Sequence, residues 1–497
     1  GLIASVETRV GSPCQQDHGD GDSQAAKTMT CPIPDLPEDI LHHIHSLLPL
    51  RDAARAACLS CAFLSSWKCH PVLVLNRDIP CSSTNPNTPS KNFKCMVDSI
   101  LRSHSGIGIK IFKLELIGIY YTFQYLDSWL PIAVTPGIEE FTLNLYERYK
   151  VVYNVPCTLF SNGVRHSLQD LQLSSCAFHP TAELGPLRNL TSLSLSFVSI
   201  SEDELECFLS NSPALKQLYL SGCQNIVCLK IPSVMLQLHS LNVSCSFNMQ
   251  VIESKAPNLS SFDLLFGESV TLSLGETLQM KKLSMQHSNL VCYARRELAS
   301  SMPNLERLSI SSRYERVDTP MLPTKFLFLK WLAISLQLNS SYDYFSLVSF
   351  LDASPSLETL SLDVAREGKE YGSIFGGSPQ LRQMPEHHHA CLKRVQIKGF
   401  NSAKALVELT CYILENAVLL DRLTLDTTYG EPRCDNSKFV SRCLDVSKGF
   451  LVKASRGAAA IRTYIKDKVP PKVKLTIEEH CKWCHADSLS KIDAMHV

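Results

Sequence analysis

The chain has 497 residues, and its charge is balanced, with 48 lysines and arginines against 48 aspartates and glutamates. Because 45% of the residues are hydrophobic, wholesale disorder is excluded. The zero net charge argues against a generic nucleic-acid coat or polyanion binder. At about 150 residues per domain, the length predicts about three domains or one long array. Leucine accounts for 70 residues, an excess typical of repeat proteins with a leucine ladder.

The N-terminal sequence lacks the basic start and apolar core of a signal peptide, and no apolar stretch reaches the ~18–20 residues that a bilayer span requires. We therefore expect a cytoplasmic or nuclear protein without membrane contact, in which residues 1–30 form a disordered N-terminal segment. The 20 cysteines favour small buried side chains in a reducing compartment over a disulfide framework. They are scattered through apolar segments, for example at Cys58, Cys61, Cys207 and Cys411.

Residues 31–76 predict a helical module. Asp35 is a candidate helix cap, and Pro49 ends the first helix. A second helix, rich in alanine, is predicted from Arg51 to Ser66. The first helix has one apolar stripe, formed by Ile40, Leu41, Ile44, Leu47 and Leu48. Three histidines on the same helix are expected on a solvated or partner-facing surface, namely His42, His43 and His45.

A repeat follows a connector at residues 77–108. Its template is an apolar residue, two spacers, an apolar residue, one spacer and a third apolar residue. The central steps between copies fall in the ~20–29-residue period of leucine-rich repeats. Each copy predicts a short strand whose apolar side chains face one side, so that stacked copies form a continuous core. The 13 first positions are Ile111, Ile138, Leu168, Leu190, Leu215, Leu238, Leu259, Met280, Leu305, Leu329, Leu357, Leu392 and Leu420.

The repeats predict a curved parallel sheet of about a dozen strands, with helices or irregular turns outside it. The repeat domain is assigned to residues 109–377, and one intervening helix is predicted over Ser201–Ser210. Longer repeats occupy residues 378–485, and a tail follows at residues 486–497. This C-terminal region predicts a helix over Ala403 to Asn416, with Leu406, Leu409, Ile413 and Leu414 facing inward. A basic stretch, residues 438–474, predicts an amphipathic helix with Ile461, Tyr464 and Ile465 on one side.

The spacer before the second ladder residue changes character along the chain. It is neutral or acidic in the first half and cationic in the second. Arginine and tryptophan are enriched in binding hot spots, and clustered cations suit an acidic or phosphorylated segment. We therefore predict that this column contacts a partner protein through Lys282, Arg307, Trp331, Arg394 and Arg422.

We predict no catalytic residue, metal ligand or cofactor. The chain has no phosphate loop, G-x-S-x-G elbow or nucleotide-binding glycine pattern. Cys481, Cys484 and His485 match a haem-attachment pattern or half of a zinc site. Haem attachment needs an exported chain, and zinc needs further ligands. The nearest histidine cluster, at residues 387–389, lies about 95 residues away.

These motifs resemble those of a known family, the plant F-box/leucine-rich-repeat proteins. The F-box likeness rests on residues 36–41 (LPEDIL), 47–53 (LLPLRDA) and Leu59-Ser60. It departs from the family at Cys61-Ala62-Phe63, where basic residues and tryptophan are common. Residues 392–400 (LKRVQIKGF) and 408–417 (ELTCYILENA) resemble the FBD domain that follows such repeats. The closing segment also resembles the ends of grass proteins of this family.

The resemblance implies an α/β protein in which a helical F-box precedes a leucine-rich-repeat solenoid and an FBD-like extension. It implies a non-catalytic substrate-recognition subunit of an SCF-type ubiquitin ligase. The F-box would dock on a Skp-type adaptor, and through it on a cullin, while the repeats hold a target protein. The alternatives are a ligase-independent scaffold and a small-ligand sensor. The adaptor-binding residues implied are Leu36, Pro37, Ile40, Leu41, Ile44, Leu47, Leu48, Leu50, Leu59 and Phe63.

Overall fold

The chain consists of two compact units, Gly1–Ile226 and Val227–Val497. The computed structural model describes residues 37–59, 61–76, 89–105, 108–116, 123–145, 152–245, 248–265, 270–275, 278–315, 318–337, 342–364, 372–376, 380–382, 387–428 and 446–480.

The first unit begins with three short helices and continues as strands alternating with helices or turns. Its helices are α1 (Glu38–Ser46), α2 (Leu50–Ala56), α3 (Cys61–Trp67), α4 (Pro89–Ser103), α5 (Phe123–Ala133) and α6 (Glu202–Ser210). Its strands are β1 (Val72–Leu75), β2 (Ile111–Glu115), β3 (Glu140–Asn144), β4 (Asn154–Val155), β5 (Asp170–Ser174), β6 (Ala177–Phe178), β7 (Ser192–Ser196) and β8 (Gln217–Ser221).

Six strands of this unit lie side by side and parallel in the order β1-β2-β3-β5-β7-β8. Each carries the predicted alternation, and its second and fourth residues are buried. Because the strands pair without offset, the buried residues stack in rows. Leu171 is opposite Leu193, which is opposite Leu218 on the next strand. The core is therefore continuous from strand to strand.

A chain of five buried phenylalanines runs beneath this sheet. Successive ring centroids are 5.5 to 6.1 Å apart, and most pairs meet edge to face. That geometry is favoured by the ring quadrupoles and adds to the free energy of burial. The rings link β2 and β3 to β6 and α6, so they join strand and non-strand layers of the unit. They belong to Phe112, Phe141, Phe160, Phe178 and Phe208.

The second unit repeats the strand pattern with longer helical insertions. Its helices are α7 (Leu290–Tyr293), α8 (Ala299–Ser301), α9 (Val348–Ala353), α10 (Lys404–Asn416) and α11 (Lys448–Ala460). Its strands are β9 (Cys228–Ile231), β10 (Ser240–Ser244), β11 (Val251–Ser254), β12 (Ser261–Leu265), β13 (Thr271–Ser273), β14 (Lys282–Gln286), β15 (Arg307–Ser312), β16 (Trp331–Leu336), β17 (Thr359–Val364), β18 (Arg394–Lys398), β19 (Arg422–Asp426) and β20 (Lys474–Glu478).

Nine of these strands are parallel neighbours in the order β10-β12-β14-β15-β16-β17-β18-β19-β20. A smaller parallel sheet contains β13, β11 and β9. Helix α10 lies in the core, and the predicted inward residues Leu406, Leu409, Ile413 and Leu414 are all buried. Beyond α11, Ile461 and Ile465 are buried and Tyr464 is half-buried, so two of the three residues predicted on the apolar side of the basic stretch are fully buried.

The predicted ladder positions are confirmed with one exception. Every predicted first position except Ile111 lies two residues before a strand. Ile111 is wrong because it is the first residue of β2 and only half-buried, while Ile109 fills the buried ladder position. The template fits both residues, since the strand period of two lets a slip of two residues match equally well.

Of two further helices predicted from the sequence, one is confirmed and the other is wrong. The helix over Ser201–Ser210 is confirmed as α6, with Ser201 as a cap whose side chain accepts a hydrogen bond from the Glu204 N–H. The single helix from Arg51 to Ser66 is wrong, because α2 ends at Ala56 and α3 begins at Cys61.

The prediction that the cysteines are buried holds only in part. Cys176, Cys223, Cys292 and Cys411 are buried, whereas Cys58, Cys61 and Cys207 are exposed. Cys61 and Cys207 lie on short helices and Cys58 lies in the turn after α2, where an apolar sequence context does not ensure burial.

We expect Phe160→Ala to lower the free energy of unfolding of the first unit by about 3–5 kcal/mol, because it removes the central ring of the phenylalanine chain and leaves a cavity. The matched control is Phe197→Ala, since Phe197 belongs to the same unit but is 52% exposed. Urea unfolding of both variants measures the difference. Equal losses would show that the rings do not carry the packing of this unit.

Candidate functional site

The first candidate surface lies on the helical module. Helix α1 has two apolar faces. Ile40 and Ile44, one turn apart, are 43% and 40% exposed. Leu47, just after the helix, and Leu59, just after α2, are 71% and 72% exposed. We call these four residues the apolar surface. Exposed large aliphatic side chains grouped on one small module are typical of an interaction site.

An adjacent face of α1, about 100° further round the helix, holds the module together. Leu41 and His45 are buried, and His45 Nε2 is 2.8 Å from the carbonyl oxygen of Ala53 on α2. The His45 ring also contacts Phe63 and Trp67 on α3, with centroids 5.6 and 6.5 Å away. The prediction of a solvated or partner-facing His45 is therefore wrong, because this imidazole links the three helices.

The other residues predicted to contact the adaptor differ in their exposure. Pro37 is exposed, while Leu48, Leu50 and Phe63 are half-buried. Leu41 faces the interior, so its contribution is to the packing of the module. Leu36 lies outside the described residues. The apolar surface thus rests on the four exposed aliphatic residues.

Two buried histidines attach this module to the strands. His70 precedes β1, and its carbonyl oxygen lies 2.9 Å from His104 Nε2 at the end of α4. His70 Nδ1 is 2.8 Å from the carbonyl oxygen of Val72. Burial lowers the pKa of both imidazoles, which favours their neutral forms. Neutral rings can pack and form hydrogen bonds here without the cost of a buried charge.

The second candidate surface is a row of side chains across the parallel strands β14 to β20. Register pairs each member with the next, so all occupy the same position on consecutive strands. The five cations are exposed, and Trp331 and Thr359 are half-buried. We call this set the cationic row: Lys282, Arg307, Trp331, Thr359, Arg394, Arg422 and Lys474.

The strand register confirms that the predicted residues of the row lie on neighbouring strands, and it adds one further cation, Lys474. Lys282, Arg307 and Trp331 lie side by side, as do Arg394 and Arg422. Lys474 was not predicted, because Lys472 occupies the first ladder position before β20 and the apolar template does not match there. That β20 pairs with β19 becomes visible only in the structure.

A neighbouring row has a different charge pattern. The residues immediately before β14 to β18 are Lys281, Glu306, Lys330, Glu358 and Lys393, and their charges alternate; we call them the paired row. Glu306 lies 3.8 Å from Lys281 and 3.7 Å from Lys330, and Lys393 lies 3.3 Å from Glu358. Each glutamate of this row therefore lies beside a lysine, and the three lysines and two glutamates leave a net charge of only +1.

The cationic row has no such balance. Within the part of the chain that the structure describes, no ion pair involves its five cations. The Arg307 guanidinium lies 4.8 Å from the centroid of the Trp331 ring, and Arg394 Nε donates to Thr359 Oγ1 at 3.3 Å. Both contacts orient a cation without neutralising it. Asp263, on the strand before Lys282, is half-buried, and burial raises its pKa.

The dimensions of the row suit an extended chain. Strand neighbours are about 4.8 Å apart, so six steps from Lys282 to Lys474 span about 29 Å. An extended peptide covers that distance with about nine residues. A row of donors on rigid strands can hold acceptors at several points along such a segment.

Comparisons with known proteins identify the two parts of the chain. The chain has a helical module followed by repeats whose strands pair in parallel. This architecture is typical of repeat proteins that bind other proteins. The family described as "At1g61320/AtMIF1, LRR domain" matches residues 100–482, and the F-box domain matches residues 33–75. The chain therefore belongs to this leucine-rich-repeat family and carries an F-box, as the sequence motifs predicted.

The chain is also similar to F-box proteins of Arabidopsis thaliana. The F-box/FBD/LRR-repeat protein At1g13570 is 29% identical over 39% of this chain and 45% of its own length. FBD-associated F-box protein At1g66310 is 25% identical over 79% of this chain and 89% of its own. F-box/FBD/LRR-repeat protein At1g51370 is 24% identical over 80% of this chain and 89% of its own. The predicted plant F-box/FBD/LRR-repeat identity and α/β fold class are confirmed.

Both matched domains are interaction modules, and they indicate an adaptor role in substrate recognition rather than an enzyme. Within the described ranges, no helix combines the length and apolar character needed to cross a membrane. The motif at Cys481–His485 lies outside the described residues.

Proposed function

We propose that the chain is the substrate-recognition subunit of an SCF-type ubiquitin ligase. The single observation that supports this most strongly is the apolar surface on the F-box. Leu41 and His45 are buried inside the module. By contrast, the four residues of the apolar surface are exposed to solvent: Ile40, Ile44, Leu47 and Leu59. Burying a large aliphatic side chain stabilises a contact by up to about 1.5–3 kcal/mol. A Skp-type adaptor that covers this surface would supply that burial and connect the chain to a cullin.

The cationic row is the proposed target site. Its exposed cations suit a protein segment with several carboxylates or phosphates, and Trp331 adds a large contact surface. A target held there would be presented to a ubiquitin-conjugating enzyme elsewhere in the ligase. The chain itself performs no bond chemistry, since its contribution is the proximity of two other proteins. This function assigns the protein to the cytoplasm or nucleus, where such ligases act.

The main alternative is a ligase-independent scaffold. It draws support from α3, where Cys61 and Ala62 are exposed at positions at which the family commonly carries basic residues. Without those cations the adaptor contact depends more heavily on the apolar surface. Binding of a Skp-type adaptor distinguishes a receptor from a scaffold. Capture of a target that needs a small molecule would instead identify a ligand sensor.

We expect Leu47→Asp combined with Leu59→Asp to weaken adaptor binding by about thirtyfold or more, because truncating central interface contacts costs about 2 kcal/mol or more. Calorimetric titration of the full chain with a purified Skp-type adaptor measures the change. Both side chains are more than two-thirds exposed, so the variant should fold normally.

The control is Leu278→Asp combined with Leu236→Asp. These leucines are each 56% exposed but lie in the repeats of the second unit, so adaptor binding should be unchanged. No binding by the unaltered chain would favour the scaffold. Equal binding by both double variants would place the adaptor contact elsewhere.

For the target site, we expect Lys282→Gln with Arg307→Gln to weaken binding of a nine-residue glutamate-rich peptide at least tenfold, and the affinity to fall with rising salt. Fluorescence anisotropy of the labelled peptide measures both effects.

The matched control is Lys281→Gln with Lys330→Gln, which removes the same two charges from the paired row. Since those lysines already lie beside Glu306, their loss should leave peptide affinity nearly unchanged. A similar loss in both variants would mean that only net charge matters and would contradict a role for the row.

A further inference from the structure

Three metal-ligating side chains from separate parts of the sequence meet in the second unit. Asp352 lies near the end of α9, whereas His387 and His389 precede β18. One oxygen or nitrogen from each lies within 4.8 Å of the other two. His389 is buried and Asp352 is half-buried. The sequence motif HHH alone did not indicate this arrangement, because its carboxylate partner is 35 residues upstream.

The backbone around the two histidines is held by one asparagine of α10. The His389 N–H donates to the Asn416 carbonyl oxygen at 3.0 Å, and the His387 N–H donates to Asn416 Oδ1, also at 3.0 Å. Asn416 is itself fixed, since its amide donates to the Tyr412 carbonyl oxygen at 2.9 Å. As a result the two imidazole rings lie beside each other, with centroids 5.2 Å apart, while His388 between them is exposed.

One ligand-to-ligand distance in the cluster is close to that of a zinc site. Zinc ligands at ~2.0–2.1 Å in tetrahedral geometry lie about 3.3 Å from one another. His389 Nε2 is 3.7 Å from Asp352 Oδ1, so this pair needs only a small adjustment. The Tyr412 hydroxyl donates to Asp352 Oδ1 at 2.9 Å and lies 3.3 Å from His389 Nε2. Such a hydrogen bond to a ligating carboxylate is the usual outer support of a metal centre.

We propose that Asp352, His387 and His389 bind one Zn²⁺, with the fourth position open to water. Two imidazoles and one carboxylate match the preferences of zinc, whereas calcium and magnesium prefer all-oxygen sites. The ion would join α9 and the segment before β18, which belong to neighbouring repeats, and Tyr412 would extend the contact to α10. Because it binds only the folded arrangement, zinc would stabilise the second unit. The proposal is independent of the ligase function.

The test uses the full chain carrying Cys481→Ser and Cys484→Ser, which removes the two cysteines of the other candidate zinc motif. Zinc affinity is measured by competition with a chromophoric chelator, and Co²⁺ is added as a spectroscopic probe. We expect one equivalent to bind and the visible bands of Co²⁺ with nitrogen and oxygen ligands to develop. His387→Ala should weaken affinity about 100-fold or more, since losing even an outer-shell partner costs 10–100-fold.

His388→Ala is the matched control, because it removes an adjacent exposed imidazole that lies outside the cluster. It should retain affinity, the Co²⁺ bands and the zinc-dependent rise in melting temperature, and His387→Ala should lose all three. Circular dichroism without metal confirms that both variants fold. Equal zinc affinity in the two variants, or no stoichiometric binding by the starting chain, would overturn the proposal.

Discussion

The parallel hydrogen-bonded register between successive strands is the constraint on which the rest of the structure depends. It places the same position of every repeat side by side, so a residue type that recurs in the sequence becomes a row in space. On the inner face the rows are leucines such as Leu171, Leu193 and Leu218, which together form a continuous core. On the outer face the same register gathers the cations of β14 to β20. The core and the proposed target surface therefore arise from one geometric rule applied to two faces.

The balanced total charge conceals this arrangement. In the paired row, Glu306 lies between Lys281 and Lys330, so the cations of adjacent strands share an acidic neighbour. One residue further along each strand, Arg307 forms no ion pair with any residue that the structure describes, and its guanidinium lies instead over Trp331. A net charge of zero thus argues against bulk attraction to polyanions but is compatible with a local surface of exposed cations. The F-box shows the equivalent contrast for apolar groups, with Leu41 buried and Leu47 in solvent.

The sequence predicts most of the ladder because three apolar positions per repeat are a strong periodic signal. It misses β1 and β20 because His70 and Lys472 occupy their first ladder positions, where the template requires an apolar residue. It misplaces Ile111 because a slip of two residues keeps the alternation. It also misassigns His45, since a polar residue on an apolar face has no sequence signal that shows its hydrogen bond to Ala53. The grouping of Asp352 with His387 depends on tertiary packing that no local pattern encodes.

Whether one chain joins a ligase adaptor to an anionic target is tested most directly by proximity labelling from the full chain in plant cells, with and without proteasome inhibition. We predict that a Skp-type adaptor is labelled under both conditions, and that a second group of proteins with acidic or phosphorylated segments accumulates only when the proteasome is inhibited. Neutralising Lys282 and Arg307 should remove the second group and leave the adaptor. Labelled partners whose abundance does not respond to the inhibitor, together with no adaptor, would contradict the receptor function.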